Sequence, residues 1–412
     1  MPHLRLLASL ALVILLASSV VAEDWPQFRG PNRDGVSKEK GLLQSWPKEG
    51  PPLEWSVKGL GSGYSTVSVA GDRIYTVGNA GSDSFLIALD RENGKQVWKA
   101  KVGPQGDSLG STPTVDGEFI YAIGQQGDLV CVDKYGKEVW RRHLIKDFKG
   151  KKGGWSYCES PLVDGDNLIV TPGGTESTLV SLNKKTGETV WKCPIKSESP
   201  AAGYSSVVID TIGGVKQYVQ LYNGGVVGVD TAGKLLWHYK RHAGNTANVP
   251  TPIVMGDLIF SSIGYDGRGA ALLKIKVDGK EFSAEEVYYE PELKNKHGGV
   301  IKVGDYVYGD HDDSGHPFCA EVKTGTVKWK RKNQGNGGGS AAVTYADGRH
   351  YFHYQNGVAV LAEASPEGYK EVGSFKPKDL NGSSWAHPVV SDGRLYLREG
   401  DMLYCYDVRA KK

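Results

Sequence analysis

The run Asp310-His311-Asp312-Asp313-Ser314-Gly315-His316 packs three carboxylates and two imidazoles into seven residues, a mixture able to hold a divalent cation. His311, Asp312, Asp313 and His316 are its candidate ligands. Their spacing matches neither His-Glu-x-x-His nor the calcium-loop pattern. A solvated hairpin rich in turn formers accounts for the same residues. The chain contains no Gly-x-Ser-x-Gly, no phosphate-cradling P-loop and no Cys-x-x-Cys. Asn336-Gly337-Gly338-Gly339 reads as a flexible connector, because no helix follows it to complete an anion site.

A second set of candidates consists of aromatic and polar residues just ahead of predicted strands. Tyr64, Trp155, Tyr157, Tyr204 and Trp385 are the rings; Glu159, Asn248, His297 and His387 are the polar members. Aromatic surfaces with a few polar groups suit a flat ligand or a peptide. Whether these residues converge depends on the elements that carry them.

Those elements repeat. Gly-containing turns recur at Gly71, Gly117, Gly165, Gly214, Gly256, Gly304, Gly348 and Gly393, spaced 46, 48, 49, 42, 48, 44 and 45 residues apart. Around Gly117, Ser111–Val115, Phe119–Ile123, Leu129–Val132 and a run from Lys137 read as four β-strands separated by Gly/Asp turns, an antiparallel meander. The fourth strand carries Trp98, Trp140, Trp191, Trp237 and Trp329, each four residues after a glycine. An indole at a fixed place in most units is suited to filling the gap between neighbouring sheets. Repeats five and seven carry Val287-Tyr288-Tyr289 and Val372-Gly373-Ser374-Phe375 instead.

Four strands per unit and a period in the forties predict a β-propeller, and no Trp-Asp dipeptide marks the WD40 type. The eighth repeat ends on its third strand, Tyr404–Val408. Leu53-Glu54-Trp55-Ser56-Val57 is the unmatched strand that would complete it. The expected fold is all-β: an eight-bladed propeller over residues 51–409, closed by the N-terminal strand around Trp55, after a leader at 23–50.

In such a ring the first-to-second and third-to-fourth turns share one face, and here they read as uniformly tight. The opposite face carries long connections at 103–110, 145–157, 241–249, 309–317 and 376–386. Function concentrates in such loops, so that face is the expected site of a protein or small-molecule ligand, and the second candidate set would ring the mouth of the central channel there.

Residues 1–22 read as a secretory signal, with Arg5 ahead of the apolar run Leu6–Ala17 and a small-residue site at Val20-Val21-Ala22. The run is short for a membrane span, and no Cys near the cut offers a lipid anchor. An exported, soluble, monomeric protein beginning at Glu23 is expected. With 49 basic and 47 acidic residues, one basic residue being lost with Arg5, the mature net charge is about +1, which gives no general attraction to nucleic acid. Cys131, Cys319 and Cys405 share a third-strand slot that Ala88, Ser181 and Gly228 occupy in other repeats, a crowded position in blades too far apart to bridge. Few or no disulfides are expected.

The unit Leu-x-x-x-Asp-x-x-x-Gly-x-x-x-x-Trp, seen from Leu86 to Trp98, resembles the repeat of pyrroloquinoline-quinone-like (PQQ-like) propellers, and the resemblance spans about residues 50–409. Trp25-Pro26-Gln27-Phe28-Arg29-Gly30-Pro31-Asn32-Arg33-Asp34-Gly35 is similar to the start of exported members. One branch of that family implies a quinoprotein alcohol or sugar dehydrogenase, with PQQ on a Trp floor beside Ca²⁺ and a catalytic Asp. The other implies a non-catalytic partner-binding protein of outer-membrane β-barrel assembly. The chain has no Cys-Cys dipeptide, and Trp155, Trp385 and Glu159 match no motif of the PQQ and calcium set. A binding scaffold is therefore the leading expectation, with a PQQ- and Ca²⁺-dependent dehydrogenase as its alternative.

Overall fold

Each glycine turn joins the first two strands of a separate sheet, and eight such sheets form the ring. The computed structural model describes residues 23–106, 110–198, 200–244, 246–332, 337–379 and 382–411. The predicted signal segment, Asn336 and parts of three long connections lie outside them. Blade 2 is typical: Thr114–Asp116, Phe119–Ile123, Asp128–Asp133 and Glu138–His143 pair in sequence order, all antiparallel. Blades 1 and 3 to 7 repeat this order from Ser68, Leu162, Val208, Ile253, Ile301 and Ala341. Blade 8 holds Val389–Ser391, Arg394–Glu399 and Met402–Asp407, and its fourth strand is Leu53–Lys58, with Trp55 opposite Cys405. The eight-bladed ring closed at Trp55 is as the repeats predict.

The tryptophans hold blade to blade. Trp98 Nε1 donates to Lys134 O of blade 2 (2.9 Å), Trp140 to Lys184 O of blade 3 (2.9 Å) and Trp191 to Thr231 O of blade 4 (3.0 Å). Each indole lies against the hairpin glycine of the next blade: a Cβ on Gly136 would sit 2.7 Å from the Trp98 ring, and Gly136 has φ +85°. Gly136→Ala is therefore expected to destabilise the ring by about 1–3 kcal/mol, read by chemical denaturation. In blade 5, Tyr288 takes the indole's place and donates to Val322 O (2.8 Å). The shared third-strand slot is crowded because it lies directly opposite the indole: Ala88 pairs with Trp98, Cys131 with Trp140, Gly228 with Trp237. Where the slot is glycine, Trp237 turns inward and donates to Gln217 within its own blade (2.8 Å).

Blade 7 has Gly373 at the position that elsewhere holds the indole or, in blade 5, Tyr288. Blade 8 has no third-to-fourth hairpin to receive one, since its fourth strand comes from the other end of the chain. The leader's Trp46 fills the notch, its backbone N bonded to Val372 O (3.0 Å) and its ring edge-on to Tyr351 and Phe375. The third-to-fourth connection of blade 7 spans 364–370, so the tight face is not uniformly tight.

The leader is not a separate appendage. The innermost strand of a propeller blade has one edge without a neighbour, and its polar groups need partners. Trp25 exchanges two 2.8 Å backbone hydrogen bonds with Val69 of blade 1, Pro26 O accepts from Val115 N of blade 2, and Val36–Ser37 pairs parallel with Tyr345–Ala346 of blade 7. Between these points two arginines enter the channel. Arg29 donates to Val300 O at blade 6 (2.7 Å), and Arg33 reaches Ser160 O (3.1 Å), Pro161 O and Val207 O (3.0 Å) at blades 3 and 4. The leader thus plugs the channel from the tight-turn face. No helix of the described residues is long and apolar enough to cross a membrane.

Candidate functional site

On the long-loop face the plugged channel becomes a blind pocket of about 330 Å³. Phe28 of the leader lies at its base, edge-on to His387 with ring centroids 4.9 Å apart. Every blade-to-blade connection descends here into an innermost strand, so residues just before those strands face the axis.

Six of the nine residues read from the sequence line this pocket: Tyr64, Trp155, Tyr204, His297, Trp385 and His387. They form most of a belt of rings. Tyr64 lies 4.5 Å from Trp385, Trp385 stacks on His297 at 4.5 Å, and Trp155 lies 5.9 Å from Tyr204. Tyr265, from the loop between the second and third strands of blade 5, joins the two halves: it is 5.6 Å from His297 and 6.4 Å from Trp155. Hydrogen bonds fix the belt. Tyr265 Oη and His297 Nε2 are 2.6 Å apart, and Trp155 N donates to Tyr204 Oη (2.9 Å).

The other three lie behind the wall. Side chains alternate along an extended chain, and Cys158 and Ser160 face the pocket, so Tyr157 and Glu159 point away. Tyr157 is fully buried and donates to Pro172 O (2.9 Å). Glu159 accepts from Thr171 N (2.7 Å) and Oγ1 (2.8 Å). Asn248 is a support: its carbonyl accepts from Tyr204 N (2.9 Å), and its Nδ2 donates to Tyr222 O (2.7 Å). Phe28 and Tyr265 were not among the sequence candidates. Phe28 sits in the leader, and only the longer blade-5 loop hinted at Tyr265.

The described residues of the pocket wall are uncharged at neutral pH. Among the described residues no Asp, Glu, Lys or Arg lines it. Burial pushes His297 down to about 4 and His387 to about 3, so both are neutral imidazoles. Beneath the floor, burial lowers Arg29 and Arg33 to about 10, which leaves both cationic. Burial raises Glu159 to about 7, against the pull of Thr171 and Arg33. The indole Nε1 of Trp385 and Nδ1 of His297 are buried without a hydrogen-bond partner among the described residues.

The acidic hairpin of blade 6 does not line the pocket but borders the belt, since the Lys296 ammonium lies 5.1 Å from the Tyr265 ring centre. Lys296 pairs with Asp312 (3.4 Å) and with Asp313, and His311 Nδ1 is 3.3 Å from Ser314 Oγ. His316 O accepts from His311 N within the turn (2.9 Å). The lysine uses the two carboxylates that would serve a cation, and no group of three or more metal-ligating side chains forms among the described residues.

All five cysteines are free thiols. Four are buried, and Cys158 at the pocket wall is the half-buried one. Burial raises Cys131 and Cys193 to about 12 and Cys319 to about 11, which keeps them protonated and unreactive. In native protein one thiol is expected to react rapidly with a thiol-specific chromophore, and Cys158→Ser should remove that phase. A second fast thiol would show that a blade interior opens readily.

A family model described as "Outer membrane protein assembly factor BamB" matches residues 82–331. The chain is 28% identical over 223 residues to the outer membrane protein assembly factor BamB of Alkalilimnicola ehrlichii, covering 51% of each chain. It is 25% identical over 206 residues to the quinoprotein ethanol dehydrogenase of Pseudomonas putida, covering 44% of this chain and 32% of that protein. It thus spans about half or less of the curated relatives it matches. Among solved structures it resembles the quinohemoprotein alcohol dehydrogenase of Comamonas testosteroni, with TM-score 0.64, 16% identity and coverage of 94% of this chain and 81% of that one. A europium-containing methanol dehydrogenase gives TM-score 0.64 at 12% identity, covering 92% of this chain and 90% of that one. At such identities the likeness shows the fold alone.

Proposed function

This chain belongs to the family described as outer membrane protein assembly factor BamB, and we propose that it acts within that family as an exported, non-catalytic binding scaffold whose ligand occupies the aromatic pocket. The observation that carries this reading is the pocket's construction: a blind cavity with a ring-lined wall and, among the described residues, no carboxylate or cationic side chain lining it. Its two imidazoles are held far below neutral pH by burial, which makes them weak bases.

The quinoprotein alternative asks for residues that the described lining of the pocket does not supply. PQQ is a flat quinone bearing carboxylates, so a site for it calls for cationic partners and for carboxylates to hold Ca²⁺. Glu159 and Asp266, the carboxylates next in sequence to the lining Ser160 and Tyr265, are absent from the lining: Glu159 accepts from Thr171 and Asp266 from Thr246. The donor set does not fit the cofactor.

Incubating the purified protein with PQQ and Ca²⁺ and following dye reduction over a panel of alcohols and sugars tests this reading. No cofactor-dependent turnover is expected, and turnover would overturn it. The N-terminal signal and the family together support export, and N-terminal sequencing of the protein recovered outside the cytoplasm should begin at Glu23.

A further inference from the structure

We infer that the aromatic pocket takes a neutral saccharide, one or two sugar rings seated against the belt between Trp155 and Tyr64. This inference rests on the binding-scaffold reading and adds the chemical class of the ligand.

The argument begins with charge. An ionised ligand would leave water for a wall that offers no counter-charge among the described residues, and an unpaired buried charge is strongly disfavoured. The ligand is therefore uncharged. The polarity of the wall then excludes a purely apolar guest. Tyr64 and Thr112 bring hydroxyl groups to the lining, whereas the hydroxyls of Thr66, Ser160, Tyr204 and Tyr265 are engaged within the protein. A hydrocarbon chain would cover the Tyr64 and Thr112 hydroxyls without bonding to them.

What remains is a ligand with apolar faces and a rim of groups that both donate and accept. A pyranose has this form: its C–H faces lie against rings, and its hydroxyls can bond to indole, phenol or imidazole as each requires. Trp155, 39% exposed and tilted by 54° and 46° to its two neighbours, offers a ring surface at the mouth. A cavity of about 330 Å³ closed below by Phe28 suits a small ligand rather than a threaded polymer.

Cys158 supplies a site-specific reporter, because it lines the same pocket and the other thiols are buried. The experiment follows Cys158 labelling and tryptophan fluorescence on the full-length mature protein. The probes are methyl glucoside, methyl galactoside, methyl mannoside, cellobiose and maltose, compared with glucuronate, glucosamine, PQQ with Ca²⁺, and an unstructured peptide mixture. At least one neutral sugar is expected to slow Cys158 labelling, and Trp155→Ala should weaken that protection about tenfold while the far-UV spectrum stays unchanged. If only a charged sugar, PQQ or peptide protects the thiol, the saccharide assignment falls and the pocket remains a binding site. If no probe of any class protects it, both readings fall. A neutral sugar that changes fluorescence without protecting Cys158 binds elsewhere and also overturns the assignment.

Discussion

Arg33→Met is expected to cost about 3–5 kcal/mol of stability, the largest effect of any single substitution in the leader. Arg33 is 4% exposed and donates to Ser160 O, Pro161 O, Val207 O and the Gln27 side chain. Methionine fills comparable volume but leaves those carbonyls buried without donors and removes the cation that faces Glu159. Lysine should recover little, because one ammonium cannot reproduce a planar fork that spans two blades. Urea denaturation measures the loss, and limited proteolysis should detect release of the segment around Arg33. Stability within about 0.5 kcal/mol of the parent would show that the guanidinium is not what anchors the plug. Since Phe28 belongs to the same segment, the variant should also lose the pocket floor, seen as faster labelling of Cys158.

The second large effect is acid unfolding with a late onset. His242 and His350 are pushed down to about 3 by burial, as is His387, and His297 to about 4. Unfolded histidine titrates near 6.5, so below that pH the unfolded chain binds the extra protons, and stability falls as pH drops toward the folded values. Each such proton is worth about 1.4 kcal/mol per pH unit, so the four together approach about 5 kcal/mol per unit. Buried acids act with the opposite sign. Glu159 is raised to about 7, and burial also raises Glu39 and Asp310, so these groups bind protons in the folded state first and stabilise it as pH falls from 7. For Glu159 and Glu39 that gain ends near 4.5, the ordinary value for a glutamate, below which the unfolded chain is protonated too. At most three such acids offset four histidines, so stability should fall gently between pH 6.5 and about 4.5 and then more steeply toward pH 3. Denaturation midpoints across that range test this, and a steady decline from pH 7 without a break would contradict it. His350→Phe should remove about one proton from the slope, because both ring nitrogens of His350 are buried without partners, its ring 4.3 Å from Tyr308.

How much of this was readable in advance follows from range along the chain. The blades were readable because each is a local meander whose glycines, strands and indole fall within fifty residues. The seam at Trp55 was readable because one strand was missing at one end and spare at the other. The leader's task was not: Arg33 bonds to carbonyls 127 and 174 residues away and Arg29 to one 271 away, and nothing periodic marks them. The pocket was half-readable. Residues at the mouths of the innermost strands were the right place to look, but which side of the chain faces the axis is a matter of one-residue parity. That separates Cys158 and Ser160 from Tyr157 and Glu159.

The seam also imposes a timetable. Leu53–Lys58 is synthesised long before its strand partner Met402–Asp407. Trp46 likewise waits for blade 7, and Arg29 for blade 6. The leader and the closing strand thus spend most of biosynthesis without their partners, while the intervening blades can form from local hairpins. Closure of the ring waits for blade 8, and the last leader contacts wait for blades 6 and 7, so a chain truncated before blade 6 should lack ring closure and the Arg29 and Trp46 contacts together.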